Sequence, residues 1–134
     1  MAYEVFTTPW AEAWAEELRG SEAYRKAAKS WEGGISLELT GDDERAVFLD
    51  LWHGECRAAR IASAEDRSAA AFIIQADMDA WRRILAGDLD PIYGIMSGKL
   101  KLARGNMAGL LPFVEASKQL VAAAARIEST FPGD

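Results

Sequence analysis

Cysteine and histidine are almost missing from this sequence. Cys56 and His53 are the only ones in 134 residues. A lone cysteine has no partner for an internal disulfide, and with one histidine it falls short of a tetrahedral zinc set. No cofactor or metal is expected, and the cysteine usage fits a reducing cytoplasm. Basic excess is missing too. The net charge is −6, with a pI near 4.8, and nucleic-acid binding calls for the opposite sign. No apolar run is long enough to cross a bilayer. The start, MAYEVFTTPW, has no basic stretch leading into an apolar one, so no secretory signal is expected. Gly98-Lys99 has no upstream glycine at phosphate-loop spacing, and neither a dinucleotide fingerprint nor a nucleophile elbow is present. Linkers of low complexity and internal repeats are also missing. Residues 1–134 therefore read as one domain, long enough to bury roughly two-thirds of its unfolded surface.

What is there is apolar and aromatic. Half the residues are hydrophobic, with five tryptophans, five phenylalanines and four methionines. The charge is uneven: −7 over residues 1–55, −1 over 56–96 and +2 over 97–134. Thr8-Pro9 reads as cap and first turn of a helix carrying Trp10, Trp14 and Leu18, closed by Gly20. Ser21 caps a second helix through Tyr24, Ala28 and Trp31, stopped by Gly33-Gly34. The period then drops to two. Ile35, Leu37 and Leu39 alternate with Ser36, Glu38 and Thr40 in a first strand. Gly41–Glu44 is turn chemistry, Arg45–His53 a second strand, Gly54-Glu55 a hairpin turn, and Cys56–Ala62 a weaker third strand. Ser63–Ala69 reads as a polar loop, and Ala71–Ala76 as a fourth strand. Asp77 caps a helix with Trp81, Ile84 and Leu85. Asp90-Pro91 opens a short one with Ile92, Ile95 and Met96. Lys99–Ala103 is a fifth strand. Beyond it a helical region broken at Pro112 carries Phe113, Leu120, Ala124, Ile127 and Phe131. Helices at the ends and hairpin-linked strands between them give an α+β fold, with helices over one face of a mostly antiparallel sheet.

Catalytic constellations are weak. His53 sits at a hairpin end, where an exposed turn residue is the plain reading; Asp50, the one nearby orienting group for a Cys56–His53 pair, points to the other face. Asp77 and Asp90 are accounted for as caps, and Asp79 as first-turn charge. The chain is therefore read as no enzyme. The apolar surplus has two readings left open: a plain core, or a cavity between helices and sheet that holds a lipid.

The stretch AFIIQADMDAWRRILAGDLDPIYGIMSGKLKLARGNM resembles the sterol carrier protein type 2 family of lipid-binding domains. The ordered features are a strand ending in Ala76-Asp77, then Trp81, Leu85, Gly87, Asp90-Pro91, Gly98-Lys99-Leu100-Lys101-Leu102 and Gly105-Asn106-Met107. VFLDL, with Asp50, is similar to the family's second strand, and the likeness runs over residues 30–120. It implies a five-stranded sheet with helices over one face, enclosing an apolar tunnel. It also implies noncatalytic binding and transfer of fatty acid, fatty acyl-CoA, phospholipid or sterol-like lipid. Two departures stand out. Ala103 and Arg104 occupy a place where the family has one residue, which implies a reshaped tunnel mouth. The chain also ends Phe-Pro-Gly-Asp rather than in a peroxisomal Ser-Lys-Leu-like tail.

The expected tunnel wall is Trp81, Leu85, Ile92, Ile95, Met96, Leu100, Leu110, Phe113 and Val114. Lys99, Lys101 and Arg104 form the expected patch for a phosphate or an anionic membrane surface. Phe48, Trp52, Phe72 and Ile74 are expected on the outer sheet face, covered by a second subunit or by Tyr3, Val5 and Phe6. The rival readings are an accessory module with a vestigial pocket and an enzyme for an apolar substrate. Gln75 and Asp77 would be the latter's nearest polar groups.

Overall fold

The computed structural model describes residues 2–41 and 45–131. Its elements are β1 (Tyr3–Glu4), α1 (Thr8–Arg19), α2 (Glu22–Ala27), β2 (Glu32–Leu39), β3 (Arg45–Trp52), β4 (Glu55–Ile61) and α3 (Ala64–Ala69). There follow β5 (Phe72–Ala76), α4 (Met78–Leu85), α5 (Pro91–Met96), β6 (Lys101–Arg104), α6 (Met107–Leu110), a 3-10 turn (Leu111–Phe113), α7 (Val114–Ala125) and β7 (Ser129–Thr130). The five-stranded sheet has the order β4-β3-β2-β5-β6, with only the β2–β5 pair parallel. This is the expected α+β class. A small parallel pair, β1–β7, ties the two ends of the chain together, and alternation gave no sign of strands so short.

The caps follow the sequence closely. Ser21, Asp77 and Asp90 each accept backbone N–H groups of the first turn of α2, α4 and α5. The cap of α1 is Thr7 rather than Thr8, and its hydroxyl donates to Glu4 O at 2.6 Å instead of capping. Gly33-Gly34 is not a helix stop. It lies inside β2, where a Cβ on Gly34 would come within 2.3 Å of the Phe48 ring. The glycine lets the aromatic ring lie across the strand. The hairpin turn is His53-Gly54, not Gly54-Glu55. Both residues have positive φ, +50° and +85°, as a type I′ turn requires. Of the expected Gly41–Glu44 turn, residues 42–44 lie outside the described residues.

Two expectations fail for local reasons. The polar loop Ser63–Ala69 contains α3, nucleated by a reciprocal capping box between Ser63 and Asp66. The stripe from Phe113 to Phe131 is not one helix, because α7 ends at Ala125 and Ser129-Thr130 turns back to pair with β1.

One continuous core runs from Val5 to Ile127 on the helix side of the sheet. The opposite face is smaller and mixed. Phe48, Ala70 and Ile73 cluster beneath α3, beside buried Ser36 and Glu38. This corrects the expected outer patch. The pairing Ile35↔Phe72 and Leu37↔Ile74 turns Phe72 and Ile74 toward the helices. Phe48 is already covered within the chain, and Val5 and Phe6 belong to the helix-side core. Of the four patch residues only Trp52 is exposed, stacked on His53 at 4.9 Å with Arg57 over its ring. The four residues therefore do not form one apolar face.

Candidate functional site

Between the sheet and the helices lies a small apolar cavity of about 30 Å³. Its floor is Ile35 and Leu37 of β2 with Ile74 of β5. Its walls are Trp10 and Trp14 of α1, Trp81, Ile84 and Leu85 of α4, Pro91, Ile92 and Ile95 of α5, and Ser117, Leu120 and Val121 of α7. Phe6, Leu100 and Leu110 close the remaining sides.

The chemistry of this lining is almost all carbon. Each wall tryptophan sends its indole N–H to a fixed acceptor: Trp10 to Ser129 Oγ at 2.9 Å, Trp14 to Leu120 O at 2.9 Å, and Trp81 to Glu38 O at 3.1 Å. The indoles are thereby locked in orientation and satisfied. Phe6 packs on Trp10 and Trp81, with ring centroids 5.3 Å and 5.7 Å apart. No titratable side chain lines the cavity among the described residues, and Ser117 brings its sole hydroxyl. General acid–base chemistry therefore has no group here to work with. No cluster of metal-ligating side chains exists among the described residues.

Of the expected wall residues, Trp81, Leu85, Ile92, Ile95, Leu100 and Leu110 line this cavity. Met96 is not there; it is 72% exposed. At 100° per residue it falls about 90° from the middle of the α5 arc formed by Pro91, Ile92 and Ile95. Phe113 and Val114 pack against the core outside the cavity, Phe113 with its ring 4.8 Å from that of Trp31. The expected wall lacked Ile35, Leu37, Ile74, Ile84, Pro91 and Ser117, and also Phe6, Trp10, Trp14, Leu120 and Val121, which flank the stretch that carried the resemblance. The Trp10/Trp14 stripe was the visible signal for two of them.

The basic patch is rearranged. Register runs Gln75↔Lys101 and Ile74↔Leu102, then Ile73↔Arg104, so Ala103 is an extra, bulged residue. The bulge puts Arg104 opposite Ile73 on the α3 side. There its guanidinium donates to the carbonyls of Arg67, Ser68 at 3.1 Å and Ala70 at 3.4 Å, closing the C-terminus of α3. Lys101 registers with Gln75, whose side chain also lies on that face, donating to Glu38 Oε1 at 2.9 Å. Lys99 and Lys101 are exposed. Two of the three basic residues thus face away from the cavity.

The other candidates resolve plainly. His53 Nε2 pairs with Glu32 Oε2 at 2.6 Å. Cys56 is buried, its thiol pushed up to about 11 by burial, and its Sγ–H donates to Ala58 O at 3.5 Å. Neither group reaches the cavity. Asp77 is occupied in capping α4, and Gln75 in holding Glu38.

The SCP-2 sterol transfer family model matches residues 15–117, most of the chain. The chain belongs to the SCP-2 sterol transfer family. A crystal structure of sterol carrier protein 2 is 42% identical with a TM-score of 0.86, covering 92% of this chain and 99% of that one. A solution structure of a conserved protein of Thermus thermophilus, described as possibly a sterol carrier protein, is 41% identical with a TM-score of 0.85, covering 96% and 93%. Sterol carrier protein-2 of Aedes aegypti, in complex with a C16 fatty acid, palmitate, shares the fold at 17% identity and a TM-score of 0.50, covering 80% and 92%. No curated protein matches the chain. Membership in the SCP-2 family supports lipid or sterol binding and transfer in general, by domains that are mostly noncatalytic. Among the described residues no helix is long and apolar enough to cross a membrane. In this SCP-2 domain Phe6, Trp10 and Trp14 precede the matched stretch, and Leu120 and Val121 follow it.

Proposed function

We propose that this chain is a noncatalytic lipid carrier that takes the hydrocarbon part of a fatty acid, fatty acyl-CoA, phospholipid or sterol-like molecule between β2, β5 and the helices, and moves it within the cytoplasm. The observation that carries the reading is the almost wholly apolar lining, with three indole N–H groups bonded away from its interior. Each methylene transferred from water gains roughly 0.8 kcal/mol, so a chain of modest length reaches micromolar affinity without any catalytic group. At about 30 Å³ the cavity has room for water and none for a chain, so loading requires the walls to part. The palmitate complex of the mosquito relative supports a fatty chain as the class of ligand. Exposed Tyr93 and Met96 on α5, followed by exposed Lys99, suit a passing contact with anionic membrane.

One observation favours a second reading, an accessory module whose pocket is vestigial: the same small volume. Native mass spectrometry on gently purified protein, followed by titration with palmitate, separates the two. Stoichiometric lipid supports the carrier. Protein that stays empty under saturating palmitate moves the accessory module ahead. Co-sedimentation with phosphatidylserine vesicles, weakened by salt and by K99E/K101E, checks the membrane contact.

A further inference from the structure

Two residues border both the cavity and a surface pocket: Leu85, at a smaller pocket against α7 and β7, and Phe6, at a much larger one. Phe6 lines the apolar space and also an open surface cleft of about 540 Å³ at the end of β2, beside Thr7, Thr40, Gln75 and the charged side chains of Glu38, Arg45 and Arg67. Its ring is buried, 2% exposed, between the two spaces. Its backbone has φ +58°, the left-handed region that a bulky L-residue rarely adopts. The flanking contacts hold it there. Tyr3 N–H donates to Glu128 O at 2.8 Å, Val5 N–H to Thr130 O at 3.0 Å, and Thr7 Oγ1–H to Glu4 O at 2.6 Å. Strain kept in place by its surroundings is where a moving part is to be sought.

The other walls are harder to move. β2 and β5 are each hydrogen-bonded on both sides, which fixes Ile35, Leu37 and Ile74. The three indoles are anchored by their N–H groups. Phe6 lies in a turn between β1 and α1 and belongs to neither.

We infer that Phe6 is the plug of the cavity, and that a single-chain amphiphile enters where its ring now sits. The chain takes the place of the ring between Trp10 and Trp81, while the polar end stays in the cleft near Thr7, Thr40 and Gln75. The backbone of Phe6 returns to an ordinary conformation as the strap of residues 3–7 lifts off β7. This rests on the carrier reading and adds the entrance, the direction of entry and the moving part. The competing mouth is at α5, where Ile95 borders the cavity on the far side of a six-residue helix.

The test is stopped-flow uptake of cis-parinaric acid, whose fluorescence rises in an apolar site, by wild type, F6G and I95A. Glycine is at ease at positive φ, so F6G removes the ring without straining the turn. Association faster by about tenfold in F6G, with I95A near wild type, is the expected result. Uptake speeded by I95A and not by F6G overturns the plug and leaves the carrier standing. Failure of wild type and both variants to take up the probe overturns carrier and plug together. A second measurement needs no variant. Saturating palmitate should speed amide hydrogen exchange at Tyr3 and Val5, whose bonds to Glu128 and Thr130 tie down the strap. Bound palmitate with unchanged exchange there overturns the proposal even if F6G does not fold.

Discussion

Ile35, Leu37 and Leu39 stand on one side of β2, and Ser36 and Glu38 on the other, all of them buried. The first three meet tryptophan and aliphatic carbon. Glu38 meets Ser36 Oγ at 3.0 Å, Gln75 Nε2 at 2.9 Å and the guanidinium of Arg67, which brings α3 onto the sheet. Burial alone would raise the Glu38 carboxyl, but these hydrogen bonds outweigh it and hold it below the usual range. A second ion pair, Arg60 with Asp66 at 2.7 Å and 3.0 Å, ties α3 to β4. The difference between the faces is one of direction. Carbon contacts are nearly interchangeable, so a ligand chain can replace a side chain on the helix side at little loss. Hydrogen bonds to a carboxylate have fixed partners and permit no such exchange. One face can yield while the other keeps the sheet in register.

The largest effects that would break this contrast come from adjacent residues. L37A should cost about 3 kcal/mol in urea unfolding, through lost burial and an enlarged cavity. E38A should cost about 2 kcal/mol, leaving Gln75 and Ser36 without their shared acceptor; the half-exposed Arg67 recovers water and limits the loss. The distinction lies in rescue. Saturating palmitate should narrow the gap between L37A and wild type, because the ligand fills what the mutation emptied. It should leave the E38A gap unchanged. Equal rescue of both variants would mean that the faces do not differ in the way argued.

Arg104 gives a smaller and more local effect. R104A should cost about 1 kcal/mol and speed amide exchange within α3, leaving the cavity-side helices as they were. Its three carbonyl partners belong to the end of α3, so its role is on the rigid face. Faster exchange in α4 or α5 would instead join Arg104 to the cavity.

That arginine also shows where reading a sequence stops. Residues 71–104 carried a strong ordered pattern, and from it the cavity residues Trp81, Leu85, Ile92, Ile95 and Leu100 were legible. The extra residue at Ala103 was legible too. Its consequence was not, because a bulge exchanges the faces of every side chain after it and only the pairing of β6 with β5 shows where it falls. A similar slip misassigned Phe72 and Ile74. FII is apolar at every position, so alternation sets no phase, and the parallel register with β2 decides it. α3 was hidden by its polarity, although Ser63-Ala64-Glu65-Asp66 has the spacing of a capping box. Phe6 was expected on the wrong face of the sheet. Its place between cavity and cleft depends on β7 pairing with β1 from the other end of the chain.

The smallest effect is acid sensitivity, and the two carboxyls held low, Asp66 and Glu38, both lie on the α3 face. The Asp66 carboxyl is lowered from 3.8 to about 2, chiefly by hydrogen bonds from Arg60, with Ser63 adding to them. A carboxyl whose pKa is depressed on folding adds stability that is complete above its unfolded value and is lost as pH falls toward the folded one. The window is therefore pH 4 down to 2. Glu38 acts in the same sense. Because Arg60 is half exposed, the Asp66 contribution should be under about 1 kcal/mol. Urea midpoints should fall between pH 4.5 and 3 in wild type, and fall less in D66N, which has lost the titrating group. The cavity lining contributes no proton to this slope, having no titratable side chain among the described residues. L37A should therefore show the wild-type pH dependence, displaced downward by a constant amount. A slope that changes in L37A would mean that the two faces are coupled through β2, and that loading the cavity is felt by α3.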